Sequence, residues 1–281
     1  MSLSPSPRWL DVEGVVNMRD VGGIPTTDGA SIAAGRLIRS DNLQDLPPAS
    51  VRRLVDDLHV TDVVDLRTSV EVAKEGDGPL IAEPGVRIHH LSLYTEDTQK
   101  TGIPPGERPL PWARDAHVGD RSAEVPPPVT TVPQARPDHD AYWSGHYRGY
   151  LEERPDSVVE ALRTIATSEG ATVVHCAAGK DRTGTIVGLA LLLAGADPEA
   201  VAADFAASAE RVPQIMERLA RRPAYAANLV GKSVDQQSPR PDTMRLLVEA
   251  LAADGGVEVW LARHGWTNDD TAALRRRLRG A

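Results

Sequence analysis

Ten residues constrain this chain more than any other stretch: His175-Cys176-Ala177-Ala178-Gly179-Lys180-Asp181-Arg182-Thr183-Gly184. Before them runs Ala171-Thr172-Val173-Val174, short and β-branched, which reads as a buried strand. After them, from about Thr183 to Ala194, nearly every residue is apolar or small (Ile186, Val187, Leu189, Leu191, Leu192, Leu193). That run reads as a buried helix ending near Gly195. A short loop therefore joins a buried strand to a helix N-terminus. Such a junction belongs to a layered α/β domain, where ligands sit outside the carboxyl ends of the strands.

The chemistry of the junction follows. The first N–H groups of a helix lack partners within the helix, and together with the helix dipole they favour an anion. Cys176 is the only cysteine in 281 residues. Helix N-termini and nearby cations lower a thiol pKa from about 8.5 to roughly 3.5–7.5. Cys176 is thus a candidate nucleophile, attacking phosphorus as a thiolate. Arg182, six positions on, is the candidate to return across the loop and bind two phosphoryl oxygens with its planar fork. Ala177, Ala178, Gly179, Lys180, Asp181, Thr183 and Gly184 complete a candidate phosphate-binding loop. Within it, Thr183 can donate a hydrogen bond to the sulfur when it leaves. Arg182 and the helix N-terminus supply the positive charge, so this reading needs neither a metal nor a cofactor.

The Cys-x5-Arg spacing followed by Thr-Gly resembles the signature of cysteine-dependent protein tyrosine phosphatases. With Lys-Asp inside the loop, it is similar to a bacterial subgroup of tyrosine and lipid phosphatases whose loop reads HCxAGKDRTG. The likeness extends to Asn17-Met18-Arg19-Asp20-Val21-Gly22-Gly23, to Arg36-Leu37-Ile38-Arg39-Ser40 and to Thr61-Asp62-Val63-Val64-Asp65-Leu66-Arg67. Val257 to Leu278 resembles the closing helices of that group, and the segment from about Thr98 to Asp138 stands outside the likeness. The resemblance implies a two-step displacement through a cysteinyl-phosphate that water then hydrolyses. It also implies a general acid, an aspartate on a loop after an early strand. Here His90 to Asp97 occupies the comparable place, so Asp97 is the expected acid and Glu96 the second choice.

Five further residues have supporting roles in this reading. His175 is expected to fix the loop by hydrogen bonding, or simply to close the strand as a satisfied histidine. Lys180 is expected to contact a second phosphate, which would broaden acceptance to phosphoinositides. Asp181 is expected to orient another arginine, with Arg67 and Arg19 as the candidates. Tyr142, Trp143, Tyr147 and Tyr150 form an aromatic cluster in a chain with 4% aromatic residues, read first as packing and second as a platform for a substrate ring. His139, Asp140 and His146 are too few to read as a metal site.

Composition narrows the partners. A formal charge of −9, from 31 Lys+Arg against 40 Asp+Glu, gives no global field for nucleic acid or an anionic membrane. A single cysteine excludes an intrachain disulfide framework and a multi-cysteine zinc site. The apolar stretch at 186–194 is too short to span a bilayer. Met1 to Pro7 lacks the basic start and apolar core of a signal peptide, so a cytoplasmic location is expected, with signal-less export left open.

The fold expectation is α/β: a central, mainly parallel sheet flanked by helices, with a helical C-terminal half or cap at 196–281. One domain spans 1–281, residues 1–8 are expected to be disordered, and the proline-rich stretch 98–138 reads as a lid or insert. Strands are expected at Arg36–Arg39, Asp62–Leu66 and Val86–Leu91, and helices at Pro48–Leu58 and Val158–Ile165. Later helices are expected over about 198–210, 212–221, 241–253 and 256–263, with a last one from Asp269. The leading function is hydrolysis of phosphotyrosine, with phosphoserine/threonine or phosphoinositides as further substrates. A small-molecule phosphatase of the same mechanism and a non-catalytic phospho-binding module are the alternatives.

Overall fold

The computed structural model of the chain describes residues 6–96, 110 and 138–280. The expected lid or insert at 98–138 lies outside the described residues, apart from Leu110 and Asp138. Of the stretch expected to be disordered, residues 1–5 also lie outside, but Arg8 already begins a strand.

Six strands form one sheet: β1 (Arg8–Trp9), β2 (Arg19–Asp20), β3 (Leu37–Ser40), β4 (Val60–Asp65), β5 (Arg87–His90) and β6 (Ala171–His175). Their order is β1-β2-β3-β6-β4-β5. The pairs β1/β2 and β2/β3 are antiparallel, whereas β3, β6, β4 and β5 run parallel. The strand that leads into Cys176 arrives last and slots between β3 and β4. Its register aligns His175 with Ser40 on one side and Asp65 on the other. The three carboxyl ends are level, so the residues that follow them share one crevice, as expected at a switch point of a parallel sheet.

Alternation along the strands supplies two cores. Leu37, Val64 and Val174 face one, and Ile38, Val63 and Val173 face the other. On the second face lie α1 (Pro48–Arg52), continued by a π-helical turn to Asp57, and the loop residues Val12, Met18 and Leu80. On the first lie α3 (His139–Glu153), α4 (Pro155–Thr167), α5 (Asp181–Leu193), α6 (Pro198–Ala207), α10 (Pro241–Ala253) and α12 (Asn268–Arg279). Between them in the chain come α2 (Ser69–Glu75), α7 (Val212–Ala220), the short α8 (Ala226–Leu229) and α9 (Val234–Gln237), and α11 (Val257–Ala262). Helix α5 follows the loop and is apolar on every side, because other elements surround it. Gly184 allows its close approach to α6: a Cβ there would meet the Phe205 ring at 2.6 Å.

Candidate active site

Cys176 is the first residue after β6 and is 2% exposed. Five positions later the chain enters α5, so the thiol sits at the base of a loop that ends on a helix N-terminus. Gly179 makes the turn possible. Its φ is +68°, and a Cβ would fall 2.5 Å from the backbone of Ser40 and Asp41 at the end of β3. His175 is buried, and burial, against the pull of Asp65, pushes its imidazole down to about 4, so the ring is neutral. Its Nδ1 lies 3.3 Å from the Cys176 carbonyl oxygen; a carbonyl only accepts, so Nδ1 carries the proton.

Arg182 returns toward β4. Its guanidinium makes a forked pair with Glu71, at 2.6 and 2.9 Å, and donates to the Leu66 carbonyl at 3.2 Å. Glu71 is fully buried. Burial alone would raise its carboxyl, but Arg182 and the Thr68 N–H hold it below the ordinary carboxylate range. Thr68 and Glu71 form a capping box that starts α2, so the same carboxylate caps the start of one helix and braces the arginine. Tyr94 covers the other side, with the Arg182 guanidinium 5.7 Å from its ring centre. Burial pushes the Tyr94 hydroxyl up to about 12, despite the nearby Arg182. That hydroxyl meets Nε2 of His146 at 3.1 Å and the Tyr150 hydroxyl at 3.3 Å.

One supporting residue departs from expectation. Asp181 orients neither Arg67 nor Arg19; its Oδ1 accepts from the Tyr147 hydroxyl at 2.5 Å. The arginines are taken elsewhere. Arg67 closes on Asp65, two residues back, at 2.6 Å, and Arg19, two strands from β6, reaches Asp204 of α6 at 2.8 Å. Lys180 is held from the far side of the loop. Its ammonium donates to the Gln237 carbonyl at 2.6 Å, stands 3.6 Å from Asp181 and lies 5.5 Å above the Trp143 ring. Glu96 accepts from the Ser69 N–H at 2.9 Å, at the first turn of α2. Asp97 lies outside the described residues.

Two readings are refined. The aromatic cluster divides: Tyr147 and Tyr150 are buried in the core, Trp143 faces Lys180, and Tyr142 is exposed. His139 bonds Asp140 at 3.3 Å while His146 turns to Tyr94, and no cluster of metal-ligating residues occurs among the described residues. Thr183 keeps a buried hydroxyl without a hydrogen-bond partner among the described residues.

Glu71, Tyr94 and the outer wall of the loop were not legible in the sequence. That wall is Ile215, Leu219, Ala224 and Tyr225, packed on Ala177 and Ala178. Arg218 ties α7 down by pairing with Asp41 and Asp45 and donating to the Asn42 carbonyl at 2.9 Å. The Thr68-x-x-Glu71 spacing signals a helix start, and nothing in it signals an arginine 111 positions away.

Comparison with known proteins agrees with this geometry. Residues 10–280 match the model of a family described as the tyrosine phosphatase family. The triple specificity protein phosphatase PtpB of Mycobacterium tuberculosis is 29% identical over 218 residues, covering 74% of this chain and 72% of that protein. A tyrosine-protein phosphatase of Nostoc commune is 28% identical over 136 residues, covering 48% of this chain and 44% of its own. Among solved structures, TpbA of P. aeruginosa aligns over 83% of this chain and 95% of its own, at 17% identity and a TM-score of 0.30.

Proposed function

Because the chain belongs to the tyrosine phosphatase family, we propose that it hydrolyses phosphomonoesters through a phosphocysteine at Cys176, with phosphotyrosine as the leading substrate. The observation that carries the reading is the buried thiol at the base of a loop whose Arg182 fork is braced by Glu71. In the first step the Cys176 thiolate attacks phosphorus, the S–P bond forms and the ester P–O bond breaks. Asp97 gives its proton to the leaving oxygen. In the second step Asp97, now a base, takes a proton from water, whose oxygen displaces the sulfur and releases phosphate. Loop N–H groups and Arg182 stabilise the equatorial oxygens throughout. Thr183 donates to the departing sulfur.

The relative from M. tuberculosis bears the name triple specificity phosphatase. That name supports a substrate range wider than phosphotyrosine, and phosphoserine/threonine and phosphoinositides are the extensions we propose. Small phosphate monoesters such as nucleotides remain the alternative, since the same loop chemistry serves them. The test is turnover of an aryl phosphate that is insensitive to chelators and abolished by Cys176→Ser. Comparing kcat/KM for phosphotyrosyl peptides, phosphoinositides and nucleotides then ranks the substrates. Preference for nucleotides would overturn the leading assignment, and activity retained by Cys176→Ser would overturn the thiol mechanism.

A further inference from the structure

Four consecutive carbonyl oxygens of the loop are each held by a donor from the β2–β3 side of the sheet. Ala177 O accepts from the Asn42 N–H at 3.2 Å. Ala178 O accepts from Asn17 Nδ2 at 2.9 Å. Gly179 O accepts from Arg39 Nη2 at 3.1 Å, and Lys180 O, which accepts the first intrahelical bond of α5 from the Gly184 N–H at 2.8 Å, also lies 3.4 Å from Arg39 Nη2. A trans peptide sets each carbonyl antiparallel to the following N–H. Drawing the first three oxygens toward β3 therefore turns the N–H groups of Ala178, Gly179 and Lys180 the other way, toward the β4 side, while the N–H of Asp181 is the first of helix α5. That side holds the Arg182 fork. Successive N–H groups turned to one side make a nest for an anion.

The donors are themselves held in a buried circuit. Arg39 Nη1 pairs with Asp204 Oδ2 at 2.5 Å, and Asp204 Oδ1 pairs with Arg19 Nε at 2.8 Å. Arg19 Nη1 donates to Asn17 Oδ1 at 3.0 Å, which leaves the Asn17 amide nitrogen facing Ala178 O. Arg19 and Arg39 are both about 1% exposed or less. Burial, and then the charge of Arg39, pushes Arg19 down to about 10, yet it stays protonated at neutral pH. Asp204 thus bridges the two guanidiniums behind the loop. A buried ionic cluster is a weak source of stability, since an apolar replacement is often as good. Its position against the loop carbonyls offers a reason for it.

We infer that Arg39, Asn17 and Asp204 are positioning residues that preset the loop N–H groups for the phosphoryl oxygens. The inference rests on the phosphatase reading above. Its test measures the Kd for inorganic phosphate, and kcat and KM on an aryl phosphate, for Arg39→Lys and Asn17→Ala. Both are assayed at a temperature where unfolding curves show each variant folded. Arg39→Lys keeps the charge but lacks the fork that bridges Asp204 and two carbonyls. The expected result is a loss of about tenfold or more in phosphate affinity and about ten- to a hundredfold in kcat, with a smaller change in KM. Asn17→Ala, which releases one carbonyl, shifts both in the same direction by less, and decides the matter if Arg39→Lys does not fold. A folded variant with lowered melting temperature but unchanged phosphate affinity and kcat overturns the inference, leaving only a structural role. Wild-type protein that neither binds phosphate nor turns over the ester overturns the phosphatase reading as well.

Discussion

Arg182 meets two demands with one guanidinium. In the proposed mechanism its fork is charged and aimed before substrate arrives, and Glu71 braces it at 2.6 and 2.9 Å inside the protein. Cys176 and Arg182 were readable from sequence because their relation is local, six positions along one loop. Asp181 was misread for the opposite reason. Its partner is a tyrosine hydroxyl 34 positions away, while the arginine assigned to it finds Asp65 two residues off. The general acid is the other residue argued from position alone. If Asp97 protonates the leaving group, Asp97→Asn lowers kcat by about a hundredfold or more. An acid works only while protonated, so kcat/KM of the wild type falls as pH rises past its pKa, and Asn removes that fall. Unchanged turnover and pH profile in the variant would point to another donor.

Helix α2 is the element that links strand end to site. It begins two residues after Arg67 with the Thr68/Glu71 capping box, and the cap delivers Glu71 to Arg182. Replacing Glu71 by Ala removes the reciprocal half of the capping box and takes the carboxylate away from a buried arginine. Breaking one partner of a buried pair costs about 3–5 kcal/mol, so Glu71→Ala shifts the urea midpoint strongly downward. A shift under about 1 kcal/mol, the size expected of an exposed pair, would contradict this account. The elements legible in the sequence were those long enough to show a period: β4, β6, α5 and α10 fall within a few residues of expectation. Helices α8 and α9 were not expected, since four residues make barely one turn and carry no period. Their place is set by the contacts of Tyr225 and Leu229 and by the bond from Lys180 to Gln237.

Across the whole molecule, arginines from distant parts of the chain, each paired with a carboxylate, converge on one crevice. Arg182 follows β6, Arg39 lies on β3, and Arg218 on α7 clasps the turn after β3. The mainly parallel sheet was readable from alternating strands and helices; the order β3-β6-β4 was not, because register is decided by packing between distant segments. Burial of His175 ties the stability of the whole fold to pH. Its pKa is pushed from 6.5 to about 4, so between these values the unfolded chain binds the extra proton. The stability it contributes is complete above pH 6.5 and is lost as pH falls toward 4, by about 3 kcal/mol. Unfolding curves of wild type and His175→Asn should therefore converge as pH falls through that window; a constant difference would refute the assignment. The central claim is the bond between Cys176 and phosphorus, and the most direct measurement is mass spectrometry of enzyme acid-quenched during turnover of an aryl phosphate. The account predicts one phosphoryl group on the peptide containing Cys176, absent from Cys176→Ser. Steady turnover with no phosphocysteine, or with the phosphoryl group on another residue, would contradict it.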